Sequence, residues 1–128
     1  MTGADAPYHA HVYYSDAERL TAEELRDRLQ DMAQDGPVLF VGRMTDGPVG
    51  PHPIPQFEVH FLAKDRPAVV AAIADSRLRA LVHPLTDDDL ADHTTLGDWI
   101  GQPVALDVSA LDPPGVNQGL GRFGKTDF

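Results

Sequence analysis

Tyr8-His9-Ala10-His11-Val12-Tyr13-Tyr14 is the stretch whose reading decides the fold. It is aromatic-rich and alternating, the pattern of a β-strand. Successive strand side chains point to opposite faces, so Ala10 and Val12 share one face while His9, His11 and Tyr13 share the other. This strand has an apolar side to bury and an imidazole-bearing side to use.

The flanking sequence supplies partners for both sides. Ser15-Asp16 breaks the strand. Thr21-Ala22-Glu23-Glu24 reads as a capping box, and Leu25, Leu29 and Met32 continue at helical spacing to about Gln34. Asp35-Gly36-Pro37 ends that helix. Residues 38 to 43 read as a second strand and 56 to 62 as a third. Between them, Met44 to Pro55 carries four prolines and two glycines, too stiff and turn-rich for either element. Asp65 sits near the cap of a second helix, with Pro67 in its first turn and Val69, Val70 and Ile73 on one side. Leu78 to His83 is a fourth strand, stopped at Pro84. Thr86, followed by Asp87, Asp88 and Asp89, starts a third helix that should run to about Leu96. Val104 to Ser109 reads as a fifth strand. The tail 112–128 looks irregular.

The order β-α-β-β-α-β, then helix and strand, predicts an α+β fold: a ferredoxin-like split βαβ with an antiparallel sheet, plus an extra helix and strand. Residues 1–128 make one expected domain, with a core of about 8–111. In this arrangement the first and third strands are central and antiparallel, the fourth lies beside the first, and helices cover one face. Phe57, Val59 and Phe61 then oppose Glu58, His60 and Leu62, and Ala80 and Val82 oppose Leu81 and His83. With the apolar sets under the helices, His9, His11, Glu58, His60 and His83 fall on one common open face.

Composition narrows the chemistry. A net charge of −10, from 20 acidic and 10 basic residues, repels a phosphate backbone, and no Lys/Arg stripe offsets it; nucleic acid is not an expected partner. No apolar run approaches the ~20 residues that cross a bilayer. The first residues lack the basic and apolar regions of a signal peptide, so the expected location is the cytoplasm. Cysteine is absent, which excludes disulfides, thiolate metal sites and a cysteine nucleophile. A metal here would be held by imidazole, carboxylate and water, donors that suit Fe(II), Mn(II) or Zn(II).

His-x-His on a strand sets two imidazoles about 6–7 Å apart at Cα, close enough to chelate one ion. Alone, such a pair also reads as solvated surface histidines. Gly50-Pro51-His52-Pro53 fixes a histidine between two prolines. This is either an incidental turn or a pre-positioned ligand or acid/base group folded over the histidine face. Asp89 and His93 are four apart, as in a surface ion pair; alternatively Asp92 orients His93 toward the site. Trp99 reads as core or interface, with substrate stacking as the alternative. Arg43, grouped with Leu39 and Val41 by alternation, is either a solvated strand-end residue or a holder of an anionic substrate group.

Taken together, these strings resemble the DOPA 4,5-dioxygenase family of small extradiol-type dioxygenases. The resemblance rests on Tyr8 to Tyr14, on Val41-Gly42-Arg43 leading to Pro48-Val49-Gly50-Pro51-His52-Pro53, and on Val82-His83-Pro84-Leu85-Thr86. It continues through Asp87 to Thr94 and Trp99-Ile100-Gly101, and covers residues 8 to 111 in family order. It implies a ferredoxin-like fold, a homodimer, and a non-haem metal used with dioxygen to open a catechol ring beside its hydroxyls. Fe(II) is the expected ion and Zn(II) the alternative. His9, His11, His52, His83 and His93 fall at the family's histidine motifs. His9, His11 and His83 are assigned as metal ligands, and His52 and His93 as catalytic acid/base or orienting groups. Arg43, Glu58 and His60 are assigned to the substrate. The rival expectations are a non-catalytic metal- or small-ligand-binding dimeric domain and a purely structural dimer.

Overall fold

The structure, a computed structural model, describes residues 3–111. The expected irregular tail 112–128 lies outside the described residues. Among the described residues, five strands form one antiparallel sheet: β1 (Pro7–Tyr13), β2 (Val38–Val41), β3 (Gln56–Leu62), β4 (Arg79–Pro84) and β5 (Asp98–Ile100). They lie in the order β2-β3-β1-β4-β5. The first four reproduce the split βαβ arrangement, with β1 central between β3 and β4, and β5 extends the β4 edge.

Two long helices, α1 (Arg19–Asp35) and α2 (Arg66–Ser76), supply the cover for one face. Ala10, Val12, Phe57, Val59, Phe61 and Val82 from the sheet pack with Leu25, Leu29, Val69 and Ile73 from the helices. Leu29 and Ile73 are fully buried there, and truncating either to Ala costs about 2–5 kcal/mol. The pairing His9↔His60, His9↔His83 and His11↔Glu58 puts every one of those polar groups on the opposite face, as the alternation predicts.

Four expectations are corrected. The first helix begins earlier than Thr21: Ser15-Asp16 is its entry, where the Ser15 N–H donates to the Glu18 carboxylate (3.0 Å) and a 3-10 turn leads into Arg19. β2 ends at Val41 rather than residue 43, and its register shifts between Val38 and Phe40. That irregularity leaves Leu39 exposed at the edge, so the alternation grouping Arg43 with Leu39 and Val41 no longer holds. The third helix, α3, spans only Asp89–His93. The fifth strand is Asp98–Ile100, not Val104 to Ser109, which is irregular apart from a 3-10 turn at Val108–Ala110.

Candidate functional site

The histidine face is not open. His9, His11, His52, His60, His83 and His93 are all at most 4% exposed. Three segments roof it. The first is the loop between β2 and β3, where Val49 and His52 bond to each other through both backbone groups (3.0 and 2.9 Å) around Gly50 at φ 54°. The second is α3, which carries His93. The third is the run after β5, where Asp107 N–H donates to Pro51 O at 2.8 Å and clamps the loop. Val104 packs beneath this roof with Tyr13 and Leu81, joined by Ile54, Trp99 and Leu106.

At the centre, His11 Nε2 and His83 Nε2 approach to 3.0 Å. His83 Nδ1–H donates to the Pro84 carbonyl (2.7 Å), and His11 Nδ1–H donates to Gln56 Oε1 (3.1 Å). A neutral imidazole carries one ring proton, so both Nε2 atoms present lone pairs to each other. Such a contact is repulsive unless something positive lies between them. Protonating His11 is disfavoured: burial first, and then the neighbouring rings of His52, His83, His93 and His9, hold its pKa well below the usual imidazole range. Two nitrogens each about 2.1 Å from one ion at right angles stand about 3.0 Å apart, so the spacing suits two ligands of one metal.

The surrounding rings pack closely. His11 and His52 have centroids 4.1 Å apart, His83 and His93 4.3 Å, and His9 lies 5.6 Å from His83. Among the described residues, three sets of groups bring ligand atoms within 4.8 Å of one another: His9, His11 and His83; His11, His52 and His93; and His9, Glu58 and His60. His52 is anchored by a 2.7 Å hydrogen bond between Nδ1 and the Tyr13 hydroxyl, and burial pushes its pKa down to about 3. Burial raises the Tyr13 hydroxyl pKa, so it stays protonated.

His93 pairs with Asp89, but inside the protein rather than at its surface. Its Nδ1–H donates to the Asp89 backbone carbonyl (2.8 Å), with the Asp89 carboxylate at 3.5 Å, and both residues are buried rather than forming a surface pair. Asp92 instead accepts from Thr86 N–H (2.9 Å) and Thr86 Oγ1–H (2.6 Å), fastening α3 to the end of β4. Arg43 is exposed beyond β2. Trp99, half-buried on β5, stacks on Tyr13 at 5.9 Å. Two contributors went unread in the sequence. Gln56 shares the face of Glu58 and His60 by simple alternation, which could have found it. Phe40, 4.7 Å from His60, faces inward because of the shift in β2, which alternation could not show.

Residues 8–110 match the model of the Dopa 4,5-dioxygenase family. A DOPA 4,5-dioxygenase from Amanita muscaria is 34% identical over 111 residues, covering 81% of this chain and 49% of that protein. An uncharacterised 21.2 kDa protein from Botryotinia fuckeliana is 29% identical over 120 residues, covering 86% of this chain and 66% of that one. The chain thus spans about half to two thirds of these relatives' lengths. Among solved structures, a Nostoc punctiforme protein named only provisionally as a dioxygenase superposes with a TM-score of 0.73 at 35% identity, covering 84% of this chain and 91% of its own.

Proposed function

Because the chain belongs to the Dopa 4,5-dioxygenase family, we propose that it is a metal-dependent, extradiol-type dioxygenase that opens a catechol ring, with a DOPA-like substrate. The observation that carries the metal is the His11–His83 contact, two imidazole lone pairs aimed at one point from separate strands. The proposed ligands are His11, His83 and His9, and the proposed ion is Fe(II), with Zn(II) able to occupy the same donors. Each of the first two is held by its far nitrogen on an oxygen acceptor, the support that metal-binding histidines ordinarily have. When bound, the metal would favour the deprotonated catechol and bring it together with dioxygen.

The remaining roles belong to the chain. His52, held at Nδ1 by the Tyr13 hydroxyl, is proposed as an acid/base group toward the catechol. His93, fixed by the Asp89 carbonyl, would orient the second side of the substrate. Arg43 is proposed to contact a substrate substituent. The roof excludes water, and the substrate would enter by displacing part of it. Family resemblance alone supports a homodimer. No helix among the described residues is long and apolar enough to cross a membrane.

Anaerobic Fe(II) loading followed by catechol and air tests the reading. A yellow ring-cleavage chromophore is the expected result. Metal retained without turnover would mark a non-catalytic metal-binding domain, and no metal affinity would overturn the site altogether.

A further inference from the structure

Glu58 takes no part in the His11–His83 contact, yet it is 1% exposed, and neither carboxylate oxygen accepts a hydrogen bond from a described residue. Its nearest charged-capable neighbours are two imidazoles. His60 Nε2 lies 3.5 Å and His9 Nδ1 3.8 Å from the same oxygen, Oε2. The two rings are stacked, with centroids 3.6 Å apart and planes 12° from parallel, because β1 and β3 place His9 directly opposite His60.

Room for this carboxylate is built into the neighbouring chain. A Cβ on Gly42 would stand 2.9 Å from Glu58 Cγ, so only glycine lets the side chain lie where it does. Gly42 N–H also donates to Glu58 O at 2.8 Å, and Phe40 covers His60 from the β2 side. A buried carboxylate without hydrogen-bond donors is costly, and a cation is the partner that removes the cost.

We propose that His9, Glu58 and His60 bind a second divalent transition-metal cation, beside the one at His11 and His83. The three ligand atoms lie within 4.8 Å of one another, and a set of two imidazoles and one carboxylate suits Fe(II), Mn(II) or Zn(II). His9 is the ring common to both sets, with Nδ1 on the Glu58 side. His9 would offer Nδ1 to the Glu58-side ion, leaving its other ring nitrogen for the neighbouring set. The count of two rests on the metal proposed at His11 and His83; the Glu58 site stands on its own residues.

The test is metal stoichiometry on the full chain stripped with chelator, reloaded with Zn(II), desalted and measured for bound metal. Expected values are two equivalents for the wild type and one for Glu58→Gln and for His60→Gln, with His83→Ala retaining the Glu58-side ion. Circular dichroism checks that each variant folds, and the wild-type count decides the matter if the variants do not. One wild-type equivalent that survives Glu58→Gln overturns this inference and leaves the His11–His83 site standing. One equivalent lost in Glu58→Gln but kept in His83→Ala overturns the two-ion arrangement and the ligand set proposed above together. Absence of binding overturns both.

Discussion

His11 Nε2 and His83 Nε2, delivered by adjacent strands, face each other at 3.0 Å while each ring's other nitrogen is committed to an oxygen. The chain spends two backbone-fixed side chains on a contact that repels unless a cation occupies it. Replacing His83 by Ala should therefore release the ion held between His11 and His83, leaving only the Glu58-side ion, and lower turnover by at least about 100-fold while leaving the far-ultraviolet spectrum native. Metal retention after desalting and kcat measure the two effects.

Gln56 acts through His11. Gln56→Ala removes the acceptor that keeps the proton on Nδ1, so metal affinity should fall about 10–100-fold with the ligands intact. A chelator competition titration reads this directly.

Acid should destabilise the metal-free protein in a defined window. His11 and His52 are neutral in the fold because burial lowers both pKa values, His52 to about 3. Unfolded, each takes a proton below about pH 6.5, so the unfolded chain binds more protons and stability falls as pH drops from about 6.5 toward 3. The expected slope is up to about 1.4 kcal/mol per pH unit for each ring. Urea midpoints of the metal-free protein at pH 7.5, 6.5, 5.5 and 4.5 check it; a flat profile would contradict the buried neutral state.

Tyr13→Phe keeps the ring that stacks on Trp99 and removes only the hydroxyl bonded to His52. Stability should drop by about 1–2 kcal/mol. If His52 handles the substrate proton, kcat should fall more than KM changes, and the pH–rate profile should shift.

Asp92 ties α3 to the end of β4 through two bonds to Thr86. Asp92→Ala should cost about 2–4 kcal/mol, since it also strands the Thr86 donors in a partly buried place. It should loosen His93 while His11–His83 metal binding survives, a separation that thermal melts and metal stoichiometry together resolve.

How much of this was legible beforehand varies by element. The β1 alternation was sufficient to place His9 and His11 on the face opposite Ala10 and Val12, and the same period placed Glu58, His60 and His83 beside them. Val104 and Leu106 alternate because both pack under the roof against Tyr13 and Leu81, not because they pair in a sheet; burial imitates strand periodicity. The true β5 is three residues between Gly97 and Gly101, too short to show a period. Thr86 looked like a helix cap, but its hydroxyl is spent on Asp92, and Asp88 caps α3 by accepting from Ala91 N–H. The roof itself was unreadable: it depends on Asp107 reaching Pro51, a contact between loops 56 residues apart that no local pattern encodes.

Anomalous diffraction from Zn(II)-loaded crystals tests the core of this account most directly. The account predicts a peak about 2.1 Å from both His11 Nε2 and His83 Nε2. Loaded crystals with no peak between those two nitrogens, and the rings still 3.0 Å apart, would contradict it.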